Sequence, residues 1–284
     1  MSGPAQRGAA LVLVLWLVVL LASLIGAFAL TARVEQLQSH VGVEALRGGQ
    51  LAQAGLEYAL YRQSQPALPG QPAWISDGRS YPWQFAGAQL ELRVLSESAK
   101  VDINQADAGL LAALMQQLGA GQAQAQQLAA AMVDWRDSDE LPQPGGAEAG
   151  DYAAAGLPYV PANDAFQSLE EVRRVLAMPA PLFQALRPYL TIWSQRSQPE
   201  PMLAADPVLR AMGIDPVLQQ SKRQSALASG GALASRGDTF SIQSLVRLGD
   251  DRVVVLDAVV RQGRTENALA AYTVLYWQQE MGKQ

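Results

Sequence analysis

The residues best equipped for chemistry lie in one acidic stretch. Asp134-Trp135-Arg136-Asp137-Ser138-Asp139-Glu140 is followed by Pro142-Gln143-Pro144-Gly145-Gly146-Ala147-Glu148 and then by Asp151, with Pro161-Ala162-Asn163-Asp164 further on. Calcium takes about six to eight oxygens from carboxylates, amide oxygens and backbone carbonyls, and irregular loops supply them more readily than helices. Carboxylates at Asp137, Asp139, Glu148 and Asp151 on a Pro/Gly-rich loop satisfy that chemistry. The spacing is not that of an EF-hand, whose loop places ligands at alternate positions and ends in a Glu. Composition alone leaves two readings, a cation site and a solvated acidic loop.

Catalytic signatures are missing. The single histidine, His40, has no nucleophile or metal partner in view, and there is no cysteine. No Gly-rich phosphate loop, Cys/His metal spacing or G-x-S-x-G occurs, and the Ser-Asp pairs lack a base to activate them. The expectation is a chain with no enzymatic activity. Its balance of 21 basic to 26 acidic residues, with no basic block, argues against a phosphate-binding surface.

The elements that must position the acidic stretch begin with the N-terminus. A short leader ends in Arg7-Gly8, and from Ala9 to Leu30 no residue is charged. At about 1.5 Å per residue that run covers roughly 33 Å, enough for a hydrocarbon core of about 30 Å. A secretory signal places its cleavage site after a shorter apolar region. Here the leader-like boundary, Gly8-Ala9, precedes the run, so a cut there leaves the helix on the mature protein. Arg7 and Arg33 nearly balance across the span, so charge alone does not orient it.

Beyond the span, Val34, Leu37, Val41, Leu46, Leu51, Leu56 and Leu60 recur near helical period up to about residue 63. Gly48-Gly49 predicts a bend. Residues 64–88 read as a loop region, Gln89–Leu95 as a half-buried strand, and 239–246, 252–261 and 270–279 as three more. Turns are expected at Leu248-Gly249-Asp250-Asp251 and Gln262-Gly263-Arg264. Two separated segments, 64–100 and 239–284, must then build one antiparallel sheet, and residues 101–238 are an insertion. The insertion reads as helix pairs, with turns near Gly119–Gly121 and Met178–Pro181, a capping box at Ser168/Glu171 and a weaker third copy near Asp206–Gly213. Residues 194–238 read as partly flexible, with 221–238 as a linker.

These features together resemble one family. A short leader, Gly8-Ala9 and an immediate anchor are the arrangement of prepilin-type precursors, which usually carry Glu as the fifth residue after the cut. Here that position is Leu13. The chain is similar to the minor pseudopilin K family of type II (general) secretion systems, which is known for lacking this Glu. The DWRDSDELPQPGGAEAGDY stretch is similar to that family's calcium-binding loop. The resemblance implies an α+β fold: a long N-terminal helix, transmembrane in its first half (9–30) and periplasmic in its second (31–63), packed on an antiparallel sheet. It implies a large inserted all-α domain of helix–hairpin–helix or SAM-like type at 101–238. It carries over Asp137, Asp139, Glu148 and Asp151 as Ca2+ ligands, with Asn163 a weaker candidate. It also implies a leader at 1–8 cut by prepilin peptidase, and a single-pass inner-membrane protein with its C-terminal domain in the periplasm. The implied partners are the I- and J-type minor pseudopilins and the pseudopilus, with secreted substrates or the outer-membrane secretin beyond them. The alternative function is a membrane-anchored helix–hairpin–helix nucleic-acid binder of competence type, but the hairpin Leu118-Gly119-Ala120-Gly121-Gln122 offers phosphate no basic residue.

Mass spectrometry of membrane-extracted protein should find a mature N-terminus at Ala9. An intact Met1 in a host with active prepilin peptidase contradicts the leader reading.

Overall fold

The computed structural model describes residues 6–65, 73–228, 237–248, 252–263 and 272–283. Its first element is a single helix, α1 (Gln6–Ser64), 59 residues and so about 88 Å long. Leu11–Phe28, with mean hydropathy 2.9, is the one stretch among the described residues long and apolar enough to cross a membrane. Its side chains are exposed throughout. Gly8 and Ala9 lie inside α1, while Met1–Ala5 of the expected leader, like the His40 side chain, lie outside the described residues.

After α1 come β1 (Asp77–Phe85), β2 (Ala88–Ser96), β3 (Val101–Asp102), α2 (Ala108–Gln117), α3 (Gln122–Arg136), α4 (Ala149–Ala154), α5 (Ala180–Leu186) and β4 (Leu190–Thr191). α6 (Asp206–Ala211), α7 (Pro216–Ala228), β5 (Thr239–Arg247), β6 (Arg252–Gln262) and β7 (Tyr272–Lys283) complete the order. The strands before and after the insertion meet in one antiparallel sheet, β1-β2-β5-β6-β7. The seam is the β2–β5 ladder, in which Leu92 opposes Ser244.

The second half of α1 lies across this sheet. Leu51, Ala52, Leu56, Ala59 and Leu60 pack on Leu90, Leu92, Val94, Val246, Val254 and Leu256. α1 continues unbroken through Gly48-Gly49, and the glycines serve approach. A Cβ on Gly48 would lie 2.6 Å from Val254 Cγ2, and one on Gly55 would lie 2.3 Å from Ser244 Oγ and 2.7 Å from Leu92 Cδ2.

Several expectations change. Residues 77–85, read as loop, form β1. Its Gly78 and Pro82 hide the alternation, but an edge strand tolerates a missing donor. The hairpin turns at Ala86-Gly87, both at positive φ (49° and 79°), the conformation that suits the sheet's twist. An aromatic stack covers this edge: Phe85 on Trp83 (4.8 Å), Trp83 on Tyr58 of α1 (4.3 Å), and Trp74 on Tyr81 (4.1 Å).

The insertion is mainly helical, but it is not all-α. The two-residue parallel ladder of β3 and β4, Val101 beside Leu190 and Asp102 beside Thr191, ties residues 101–102 to 190–191. The second expected pair opens on a 3-10 segment, Leu169–Arg174, where the Ser168 amide donates to Glu171 Oε1 (3.0 Å). Residues 221–228, expected as linker, are the end of α7; their serines masked a run of good helix formers. Arg223 pins that helix by donating to the carbonyls of Pro201 (2.8 Å) and Ala204 (2.6 Å). Residues 229–236, 249–251 and 264–271 lie outside the described residues, and with them 249–251 of the first expected turn, Arg264 of the second and the first two residues of the strand expected at 270–279.

Gly55→Val should cost about 1–3 kcal/mol by overpacking, read as a lower urea midpoint for the detergent-solubilised chain. Gly26→Ala, with nothing within 4 Å, should be neutral. A neutral Gly55→Val would contradict the close crossing.

Candidate metal centre

The acidic loop begins where α3 ends. Trp135 is buried in the helical core beside Phe166 (6.0 Å between rings). Arg136 donates to the carbonyls of Ile103 and, at 2.6 Å, of Ala106, which fixes the end of α3 against the segment entering α2. Asp137 follows as the last capped residue, its amide reaching Val133 O at 3.0 Å. The loop then runs to Glu148, which opens α4.

This path brings three of the five sequence-derived ligands together. Asp137, Asp139 and Glu148 each offer a carboxylate oxygen, and these oxygens lie within 4.8 Å of one another. Asp137 Oδ1 and both oxygens of Glu148 are buried without a hydrogen-bond partner. Glu148 is only 6% exposed. Asp151 stands apart from the trio: its Oδ2 accepts the Glu148 amide (2.9 Å) and holds the start of α4. Asn163, at φ 48°, donates to Glu140 Oε1 (3.0 Å), and its own Oδ1 is buried and unpartnered. Glu140, which the sequence reading passed over, thereby links the Asn163 segment to the loop. The signal was its position in the same acidic run.

The electrostatics of the cluster are strained by its own charge. Burial pushes the Glu148 carboxyl up to about 7, and the charges of Asp134, Asp137, Glu140 and Asp139 push the same way. Burial also raises Asp137, reinforced by Asp139 and Asp134. Buried acceptors without donors are costly unless something pairs with them. Three converging carboxylates are hard, oxygen-only donors, so the residues present fit a calcium-type cation.

Of the other sequence-derived positions, Leu13 lies in the apolar part of α1, 70% exposed. The hairpin between α2 and α3 carries no basic residue.

Residues 88–195, which contain the whole acidic loop, match the sequence model of the type II secretion system protein K family. The match takes in somewhat more than a third of the chain. A type II secretion system protein K from Klebsiella pneumoniae is 30% identical over 207 residues, and one from Pectobacterium carotovorum subsp. carotovorum is 25% identical over 208. Each alignment takes in 65% of this chain and 62% of the relative, so the chain spans less than two thirds of these protein K sequences. A chain of the crystallised GspK-GspI-GspJ complex from the enterotoxigenic Escherichia coli type 2 secretion system shares the fold. Its TM-score is 0.55 at 18% identity, covering 88% of this chain and 99% of that one. These similarities do not favour the nucleic-acid alternative.

The raised Glu148 gives a signed pH dependence. Its folded-state carboxyl holds a proton more tightly than the usual 4.5, so without a cation stability falls as pH rises from about 4.5 to about 7. In chelator, Tm should therefore be lower at pH 8 than at pH 5, and Glu148→Gln should flatten the difference. Added calcium should raise Tm at pH 8. An unchanged melt in calcium and chelator at pH 8 would remove the metal site.

Proposed function

We propose that this chain is a member of the protein K family, a minor pseudopilin of the type II secretion system, placed at the tip of the periplasmic pseudopilus and supporting its assembly and protein export across the outer membrane. The observation that carries the reading is the continuity of α1 from the apolar Leu11–Phe28 stretch to the sheet, with an apolar residue at Leu13. In a filament of such helices, a carboxylate at that position neutralises the N-terminal amine of the subunit above, a favourable pairing where unpaired charge in lipid is costly. Leu13 cannot offer that partner. The inserted helices add bulk that a subunit stacked above would meet. Both features suit a position with nothing above it.

In this reading prepilin peptidase cuts between Gly8 and Ala9, and residues 9–30 span the inner membrane. The periplasmic part is then the spine to residue 63, the sheet of 64–100 and 239–284, and a helix–hairpin–helix or SAM-like insertion at 101–238. The loop binds Ca2+ through Asp137, Asp139 and Glu148, with Asp151 and Asn163 as further candidates. The chain is an assembly subunit, not an enzyme. The complex formed by its structural neighbour supports I- and J-type minor pseudopilins as partners; secreted substrates or the secretin come after them.

Tagged chain extracted from membranes in mild detergent should co-purify with the I- and J-type minor pseudopilins of its own operon. Recovery of the folded chain without either of them would overturn the assignment.

A further inference from the structure

Asp134 is absent from the ligand trio, yet it is the most completely buried carboxylate of the loop region, at 0% exposure. It projects from the last turn of α3, three residues before Asp137. Its Oδ1 accepts the amide of Gln143 (3.0 Å) and its Oδ2 the amide of Ala147 (2.7 Å). Those two donors bracket the tight turn Gln143-Pro144-Gly145-Gly146, closed by the Gly146 amide on Gln143 O (2.7 Å). Gly145 is at φ 83°. Gly146 lies so close that a Cβ there would sit 1.8 Å from Asp134 Oδ2. Both carboxylate oxygens are thus committed to backbone, and the approach exists only because residue 146 has no side chain.

The consequence is geometric. Asp137 and Asp139 leave the same helix end that carries Asp134, and Glu148 directly follows Ala147. One buried carboxylate therefore clamps both ends of the ligand loop to a single point. Charge-assisted bonds to backbone N–H groups are among the stronger hydrogen bonds, and they form here among protein atoms alone. We infer that Asp134 is a positioning residue that holds the loop in its ligating shape before any cation arrives, so that Glu148 is delivered beside Asp137 and Asp139 by Asp134 and Gly146 and not by the ion. The inference rests on the cation reading of the loop. Preorganisation of this kind removes the ordering cost from the binding step, and partners that orient a ligand set typically change metal affinity about 10–100-fold when lost.

The test uses the full chain in detergent, with calcium chloride as probe. D134N keeps the shape but turns one acceptor into a donor facing a backbone N–H. By calorimetry D134N should bind calcium at least about 10-fold more weakly, and the rise in Tm on adding calcium should shrink. In EDTA, limited proteolysis between residues 138 and 147 should be slow in the parent chain and fast in D134N. Equal loss of Tm with and without calcium, at unchanged affinity, would mean a merely structural residue and overturn the proposal. So would equal loop cleavage of parent and variant in EDTA. Should D134N fail to fold, Gly146→Ala, which keeps the charge and blocks the approach, must show the same pattern; parent-like affinity and cleavage overturn it. Should the parent bind no calcium, the cation reading fails separately, and the EDTA cleavage comparison still decides the clamp.

Discussion

The fold depends on one helix meeting two environments without a break. α1 presents apolar side chains from Leu11 to Phe28, broken only by Ser23, whose hydroxyl donates back to Val19 O, and then, within the same hydrogen-bonded rod, turns a stripe of Leu51, Ala52, Leu56, Ala59 and Leu60 to the sheet. The sheet can lie against it only because Gly48 and Gly55 let strand side chains approach the helix backbone. Phe28 and Gly48 are twenty positions apart, about 30 Å along the helix, so the sheet is held well away from the apolar stretch. Glu44, salt-bridged to Arg252 of β6, marks the start of that contact.

The insertion inherits its place from the sheet. It leaves at the end of β2 and returns at the start of β5, two strands that pair directly. At the junction the buried Glu97 accepts from Lys100 (2.7 Å) and from Ser241 of β5, tying the exit from β2 to the neighbouring strand. The β3–β4 ladder then closes residues 101–191 on themselves, and Ile75, Ala99 and Leu203 form a small apolar cluster beside the sheet. The acidic loop is thus mounted on the helical unit, with the contacts of Arg136 and Asp134 at the helix end from which Asp137 and Asp139 depart.

Where a pattern is set by local chemistry, the sequence was readable. The apolar run, the strands at 89–95, 239–246 and 252–261, the Gly119–Gly121 turn and the capping box at Ser168 all follow from periodicity or caps, and the structure has them. What escaped depends on contacts distant in the chain. β1 is a strand because β2 pairs with it, and Trp83 and Phe85 stack along the covered edge; Gly78 and Pro82 spoil its local signal. Gly48 reads as a helix weakener until Val254 is seen against it. The second half of α7, from residue 221, reads as linker until Arg223 finds the carbonyls of Pro201 and Ala204. At the site, the sequence assembled the acidic residues but could not sort them: Asp151 accepts the Glu148 amide, and Asp134, in the same run, accepts two backbone amides of the loop.

A continuous helix from the apolar stretch to the sheet, an apolar residue at Leu13 and a bulky insertion together carry the proposed position at the end of a filament. Immunogold labelling of isolated pseudopili with antibodies against the inserted helical unit tests it most directly. The account predicts gold at one end of each filament and none along the shaft. Regular labelling along the shaft would contradict it.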